Sequence, residues 1–249
     1  MLQFDFPLSK KARTYLKFEQ IFKTAEDNCN INTVQEAYCL LRCIVDFIDL
    51  VDGTGTIKLE ILKDLEKCDS SLRDWLSDPE VDNDFVNDLR KQIVEARSLL
   101  DTFTRQRTVL RDDPIISVVK QRFRTPCGIN CYDTPIFEFW LNLPIEERRR
   151  DVQTWLSELE CLRGPITTLL YLWRLCTEPK DCIAHQGFMQ ENIDNIDLVR
   201  VAYDNESIRG YPQVSGFSSR VNIRFYPYDK GAQVGDIPCA VTYISGNLK

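Results

Sequence analysis

The chain has 249 residues, 43% of them hydrophobic and 28% charged, enough to build one large domain or two modest ones around a substantial core. Its formal net charge of −7 argues against general nucleic-acid binding but leaves room for a local basic patch. No run approaches the roughly 18 apolar residues of a membrane span. The opening MLQFDFPLSKK also lacks the charged region and apolar core of a secretory signal, so a cytoplasmic protein without membrane insertion is expected.

Residues 2–6 alternate apolar and polar and stop at Pro7, which predicts a short strand. Ser9 is placed to cap a helix reaching about Asp27. Thr33, with Glu36 three residues on, opens a second helix that breaks at Asp52-Gly53-Thr54-Gly55. A third helix is predicted from Ile57 to Leu76 with Leu59, Leu62, Leu65, Leu72, Trp75 and Leu76 inward. A fourth runs from Asn83 to Phe103 with Phe85, Val86, Leu89, Ile93, Ala96 and Leu100 inward. Asp113-Pro114 starts a short helix to about Phe123, proline being suited to the first helical position. Thr125 to Pro135 reads as a compact loop, and Pro135 opens a helix ending at Leu143-Pro144. The long segment from Ile145 to Cys176 is expected to bend or break at Gly164-Pro165. Within it, Arg148-Arg149-Arg150 reads as a solvated face.

After Pro179 the helical period gives way to short β-like pieces: Leu198 to Tyr203, Ser219 to Tyr226, and 237–244, with loops such as Asp204-Asn205 and 229–235 between them. An isolated strand at 2–6 would leave its backbone groups unpaired, so it is expected to join this C-terminal sheet. The fold class is therefore α+β. A helical-bundle domain over residues 8–180 is followed by a small antiparallel β-domain made of 1–7 and 181–249.

The most informative stretch is Tyr211 to Pro227, YPQVSGFSSRVNIRFYP. Val221, Ile223 and Phe225 fall on one side of a strand, and Arg220, Asn222, Arg224 and Tyr226 on the other. At about 3.3 Å per residue the two arginine Cα atoms lie roughly 13 Å apart on one face. Pro212 and Gly216 are read as a turn or bend before this strand. Guanidinium forks pair bidentately with carboxylate or phosphate, so the face suits an anionic ligand, although an ordinary solvated strand face would look similar.

Little else carries chemistry. Of the ten cysteines, Cys39 and Cys43 sit in an apolar helical run as core residues would, and Cys29, Cys68, Cys161, Cys176, Cys182 and Cys239 are scattered. Cys127 and Cys131 form a pair in PCGINC. With His185 as the one, distant histidine they fall short of the four ligands zinc takes, so no metal is expected. There is no nucleophile elbow, Walker loop or dinucleotide fingerprint, and Gly53-Thr54-Gly55 lacks the strand and lysine of a phosphate cradle. No catalytic residue and no cofactor are expected, a pattern that suits a binding protein.

Several stretches resemble the ZapD family of cell division proteins. Pro7 to Glu19 is similar to its PLN-x-K-x-R-x-x-LR-x-E opening, and Ile61 to Leu65 to its LLKEL. Pro126 to Pro135 resembles P-x-G-x-C-x-x-D-x-P, and Gly187 to Asn192 resembles GF-x-Q-x-N. Tyr211 to Gly216 with Ser219 to Phe225 resembles YPQ-x-SG-x-x-SR-x-x-IRF. The resemblance implies a homodimeric protein of the mid-cell division ring. Such a protein would bind the C-terminal tail of the tubulin-like GTPase FtsZ and bundle its filaments. On that reading Arg220 and Arg224 receive tail carboxylates, with Asn222 and Tyr226 beside them. The family's loop after the second helix can carry an arginine before a glycine; residues 52–58 here have none, and Lys58 is the nearest cation. The alternative on the same strand is single-stranded nucleic-acid binding, with arginines pairing to the backbone and tyrosines stacking on bases. An enzyme using the Cys127 to Asp133 loop is the remaining one.

Overall fold

The computed structural model describes residues 1–104, 108–204, 206, 208–217 and 219–248, with no account of the Thr108 and Phe217 side chains. Its elements run β1 (Leu2–Pro7), α1 (Lys10–Asp27), α2 (Val34–Gly53), α3 (Ile57–Trp75), α4 (Asn83–Asp101), α5 (Thr108–Asp112), α6 (Pro114–Arg122), α7 (Pro135–Leu141), α8 (Ile145–Ser157), α9 (Glu160–Leu175), β2 (Lys180–Ala184), β3 (Phe188–Asn192), β4 (Leu198–Tyr203), β5 (Gly210–Phe217), β6 (Arg220–Pro227) and β7 (Ile237–Ile244). The architecture is α+β, and the N-terminal strand does join the C-terminal β-structure. The chain divides into two compact units. One comprises Met1–Leu16, Asp64–Arg90 and Leu169–Lys249, the other Lys17–Lys63 and Lys91–Thr168. Among the described residues no helix is long and apolar enough to cross a membrane.

The first unit holds two antiparallel sheets, β1-β4-β7-β2 and β3-β6-β5. Val199, Val201, Tyr203 and Val241 from the four-stranded sheet share one apolar core with Val221, Ile223 and Phe225 from the three-stranded one, so the sheets pack face to face. The chain crosses from β2 to β3 in a two-residue turn, Gln186-Gly187. Both residues have positive φ (49° and 72°), the geometry that matches the twist of flanking strands. His185 Nδ1 lies 3.1 Å from Asp236 at this corner, and the same carboxylate accepts from Gln186 N at 2.8 Å; the histidine is a surface turn residue. On the far side of the four-stranded sheet, the Asp5 carboxylate meets Arg200 and Arg174, each at 2.7 Å. Lys11 bridges Asp64 and Asp197 at 3.2 Å each, while Tyr15 Oη donates to Asp64 at 3.1 Å.

The second unit is helical. Thr33 Oγ1 accepts from Glu36 N (3.1 Å) and the Glu36 carboxylate accepts from Asn32 N (2.7 Å), so the opening of α2 is held from both directions. Asp113 accepts from Ile115 N and Ile116 N at the start of α6 and, through its other oxygen, from Trp155 Nε1 at 2.9 Å. Trp140 stacks on Phe137 and meets Trp155 at a tilt, and Phe18, Phe22 and Phe47 form a second aromatic cluster. In the 125–134 loop a Cβ on Gly128 would lie 2.4 Å from the Arg122 carbonyl oxygen, which requires glycine there. Arg149 donates to Asn30 O (3.3 Å) and Asn32 Oδ1 (3.0 Å), so one residue of the arginine run fastens the loop before α2.

The structure corrects several expectations. The β-structure is two sheets, and β2, β3 and β5 are strands beyond the three expected ones. Pro212 and Gly216 lie inside β5, where Pro212 is tolerated because β5 is an edge strand. Phe225 opposite it sends its N–H the other way, to Gly187 O at 2.7 Å, so no ladder bond is lost. The 145–176 segment breaks at 158–159, between α8 and α9, and Pro165 lies in the second turn of α9, where it removes a single ladder bond. Leu59 and Phe85 face solvent, with Ile57, Ile61 and Cys68 filling the inward side of α3. Cys43 is buried as expected, but Cys39 is exposed. Asn205, assigned to a loop with Asp204, lies outside the described residues.

Candidate functional site

Strand β6 is the middle strand of its sheet, so its outward side chains are framed from both sides. Val221, Ile223 and Phe225 are buried in the sandwich core, which fixes the register and forces Arg220, Asn222, Arg224 and Tyr226 onto the other face. Arg220, Arg224 and Tyr226 are exposed and Asn222 half-buried. The structure thus brings four of the five sequence-assigned residues together on one face. Lys58 belongs to the second unit, on the first turn of α3. There its ammonium lies 3.4 Å from the Asp101 carbonyl oxygen and 3.9 Å from its carboxylate.

The neighbouring strands extend this face. Opposite Arg224 stand Phe188 of β3 and Gln213 of β5, opposite Asn222 stand Gln190 and Ser215, and opposite Arg220 stands Asn192. The Arg224 guanidinium carbon lies 5.3 Å from the centre of the Phe188 ring, within cation–π range. Tyr226 stacks on Tyr211 with ring centres 6.0 Å apart. The amide oxygen of Asn222 is buried and has no hydrogen-bond partner among the described residues.

The electrostatics of the face are one-sided. None of its described strand residues is acidic. Glu191, the one carboxylate in these three strands, occupies the opposite side, in register with Val221, and is held by Lys180 at 2.9 Å. That contact raises the Lys180 pKa. Arg209, beyond the open end of the β5–β6 hairpin, is matched by Asp229 at 3.0 Å. Among the described residues neither Arg220 nor Arg224 has an ion-pair partner. Two unmatched guanidinium groups with neutral amides and aromatic rings between and beside them can receive carboxylate or phosphate oxygens and pack apolar groups.

The flanking residues Phe188, Gln190, Tyr211 and Gln213 were not singled out from sequence. In YPQV the alternation is present, with Tyr211 and Gln213 outward and Pro212 and Val214 inward, but proline and glycine make it read as a turn. The Cys127–Cys131 loop carries two exposed free thiols. Its turn is organised by Asn130, whose Oδ1 accepts from Tyr132 N (3.1 Å) and Asp133 N (2.7 Å).

Fold and surface together define a class: an α+β protein in which a helical region precedes two antiparallel sheets, one of them joined by the N-terminal strand, with two arginines on one sheet face that have no ion-pair partner among the described residues. A family model described as "ZapD: Cell division protein" matches residues 16–224, a span that includes Arg220 and Arg224. Proteins named "Cell division protein ZapD" from Pectobacterium carotovorum, Serratia proteamaculans and Yersinia enterocolitica are each 32% identical to this chain over 240 residues, covering 96% of it and 94% of the relative. The chain belongs to the ZapD family of cell division proteins.

Proposed function

We propose that this protein binds the C-terminal tail of FtsZ through the outward face of β3-β6-β5 and, as a homodimer, cross-links FtsZ filaments at the mid-cell division ring. The observation that carries the reading is the pair Arg220 and Arg224, exposed on one face and free of ion-pair partners among the described residues. Tail carboxylates dock on the two guanidinium groups, and apolar tail residues pack on Phe188 and the Tyr211–Tyr226 stack. Asn222 lies between the arginines and supports their spacing. Lys58, already engaged with Asp101, contributes less than either arginine. The role needs no catalysis and no cofactor, and a symmetric dimer supplies the two faces that a cross-linker requires.

The test is co-sedimentation of FtsZ filaments with wild-type protein and with the Arg220→Glu/Arg224→Glu double variant, with circular dichroism as a control on folding. The double variant is expected to leave bundling at background level, and FtsZ lacking its tail to behave likewise with wild-type protein. Undiminished bundling by a folded double variant removes this face from the mechanism. Stacked tyrosines beside arginines also match the pattern that holds single-stranded nucleic acid. A mobility shift of a single-stranded oligonucleotide that is abolished in the same variant would favour that second reading, against which the net charge of −7 counts.

A further inference from the structure

Cys182 and Cys239 are 57 positions apart in the sequence, and the fold sets them directly opposite one another in the β2–β7 ladder. Both are free thiols. Residues opposite in an antiparallel pair share a face of the sheet, and their Cα atoms are about 4.5–5.5 Å apart. That spacing lies inside the roughly 4.4–6.8 Å over which a disulfide closes without backbone movement. Cys239 is part of the sandwich core, 6% exposed, and Cys182 packs against that core from the adjacent strand. Strand β2 is the edge of its sheet, which leaves Cys182 half-buried and within reach of a small solute.

We propose that Cys182 and Cys239 form a modification site, a thiol pair that a peroxide converts to a cross-strand disulfide. Cys182, the more accessible, reacts first. Its thiolate attacks one peroxide oxygen, the S–O bond forms, the O–O bond breaks, and the leaving hydroxide takes up a proton to become water. The Cys239 thiolate then attacks the sulfenic sulfur, the S–S bond forms, the S–O bond breaks, and a second water leaves. In sum two thiols and hydrogen peroxide give one disulfide and two waters, with the sulfurs oxidised by two electrons and the peroxide reduced by two. Burial pushes the Cys239 thiol up to about 11 and raises Cys182 as well, so each attacks through a small thiolate fraction and the reaction is slow.

The covalent link closes a loop over residues 182–239, which contains β3, β4, β5 and β6 and therefore the whole arginine-bearing sheet. Closing so long a loop restricts the unfolded chain strongly and ties the edge strand β2 to its neighbour. The oxidised protein is expected to melt on the order of 5 °C higher than the reduced one.

The experiment uses the full chain in a Cys127→Ser/Cys131→Ser background, to limit cross-linking between molecules. Reduced protein is incubated with hydrogen peroxide, unfolded, alkylated, digested without reductant and mapped by mass spectrometry. A peptide pair joined through Cys182 and Cys239, lost on treatment with dithiothreitol, is expected. So is a rise in melting temperature that is absent in Cys182→Ser and Cys239→Ala. Alkylation of both residues after prolonged peroxide, separate oxidation of each to sulfinic acid, or disulfides from either to a different cysteine would each overturn the proposal. The peptide map decides without the variants, so a variant that folds poorly does not shield the idea.

Discussion

Arg224 holds its guanidinium carbon 5.3 Å from the centre of the Phe188 ring, within cation–π range. The ring limits the rotamers of a long side chain, and that lowers the entropy lost when a carboxylate docks. Phe188→Ala is expected to weaken binding of a labelled tail peptide by about two- to fivefold, the size of an exposed cation–π contact. An unchanged Kd by fluorescence anisotropy would mean that Phe188 does not prepare Arg224. A different residue, Asp5, is one of the carboxylates expected to contribute to acid stability. Burial by itself would raise its pKa, but the Arg200 and Arg174 guanidinium groups outweigh burial and hold the carboxyl below its ordinary value. A folded-state pKa below the unfolded one means that the contribution is complete above about pH 4 and is lost as pH falls through the lowered value. Asp5→Asn removes a carboxylate shared by two part-buried arginines and is expected to cost about 3 kcal/mol at pH 7. The variant's melting temperature should also fall less steeply than wild type below pH 4. Parallel curves for the two proteins would show that Asp5 is not the group that titrates.

At the scale of elements, the strands whose inward positions are all apolar were legible in the sequence: β1, β4, β6 and β7 each alternate or run apolar. Those that were hidden break the pattern for identifiable reasons. In β3 the inward register position opposite Val221 is Glu191, made tolerable by Lys180. In β5 a proline and a glycine occupy inward positions, and in β2 two of the five residues are charged. The arginine face was legible because β6 alternates strictly, whereas its frame of Phe188, Gln190, Tyr211 and Gln213 depended on pairing that no local pattern announces. The opposed Cys182 and Cys239 are hidden for the same reason, since strand pairing across 57 positions leaves no mark on either segment. On α3 Leu65 and Leu72 are buried as expected, whereas Leu59 is not, and Ile57, Ile61 and Cys68 share the inward side. Leu59 is 63% exposed and Ile61 fully buried. Leu59→Gln is therefore expected to change unfolding free energy by no more than about 0.5 kcal/mol, and Ile61→Ala to cost about 2–4 kcal/mol. Urea titrations of the two variants check this, and comparable losses in both would place Leu59 in the core after all.

At the scale of the whole molecule, the proposed tail binding and the proposed bundling by a dimer are separable, because one surface would suffice for the first and two would be needed for the second. Exposed arginine–carboxylate pairs are screened within about 10 Å at 0.1 M salt, so raised ionic strength should weaken both activities together. A mixing experiment separates them. When wild-type protein and the Arg220→Glu/Arg224→Glu variant are combined in equal amounts and allowed to exchange subunits, about a quarter of the dimers carry two intact faces and about half carry one. Tail-peptide capacity per chain should then fall to about half of the wild-type value, since every intact face still binds. Bundling should fall to about a quarter, since a dimer with one face decorates a filament without joining it to another. The pellet of FtsZ bundles and the peptide stoichiometry are read from the same mixture at the same total protein. Bundling that falls only to half, in step with peptide binding, would show that each chain cross-links by itself and that the dimer is not the linking unit.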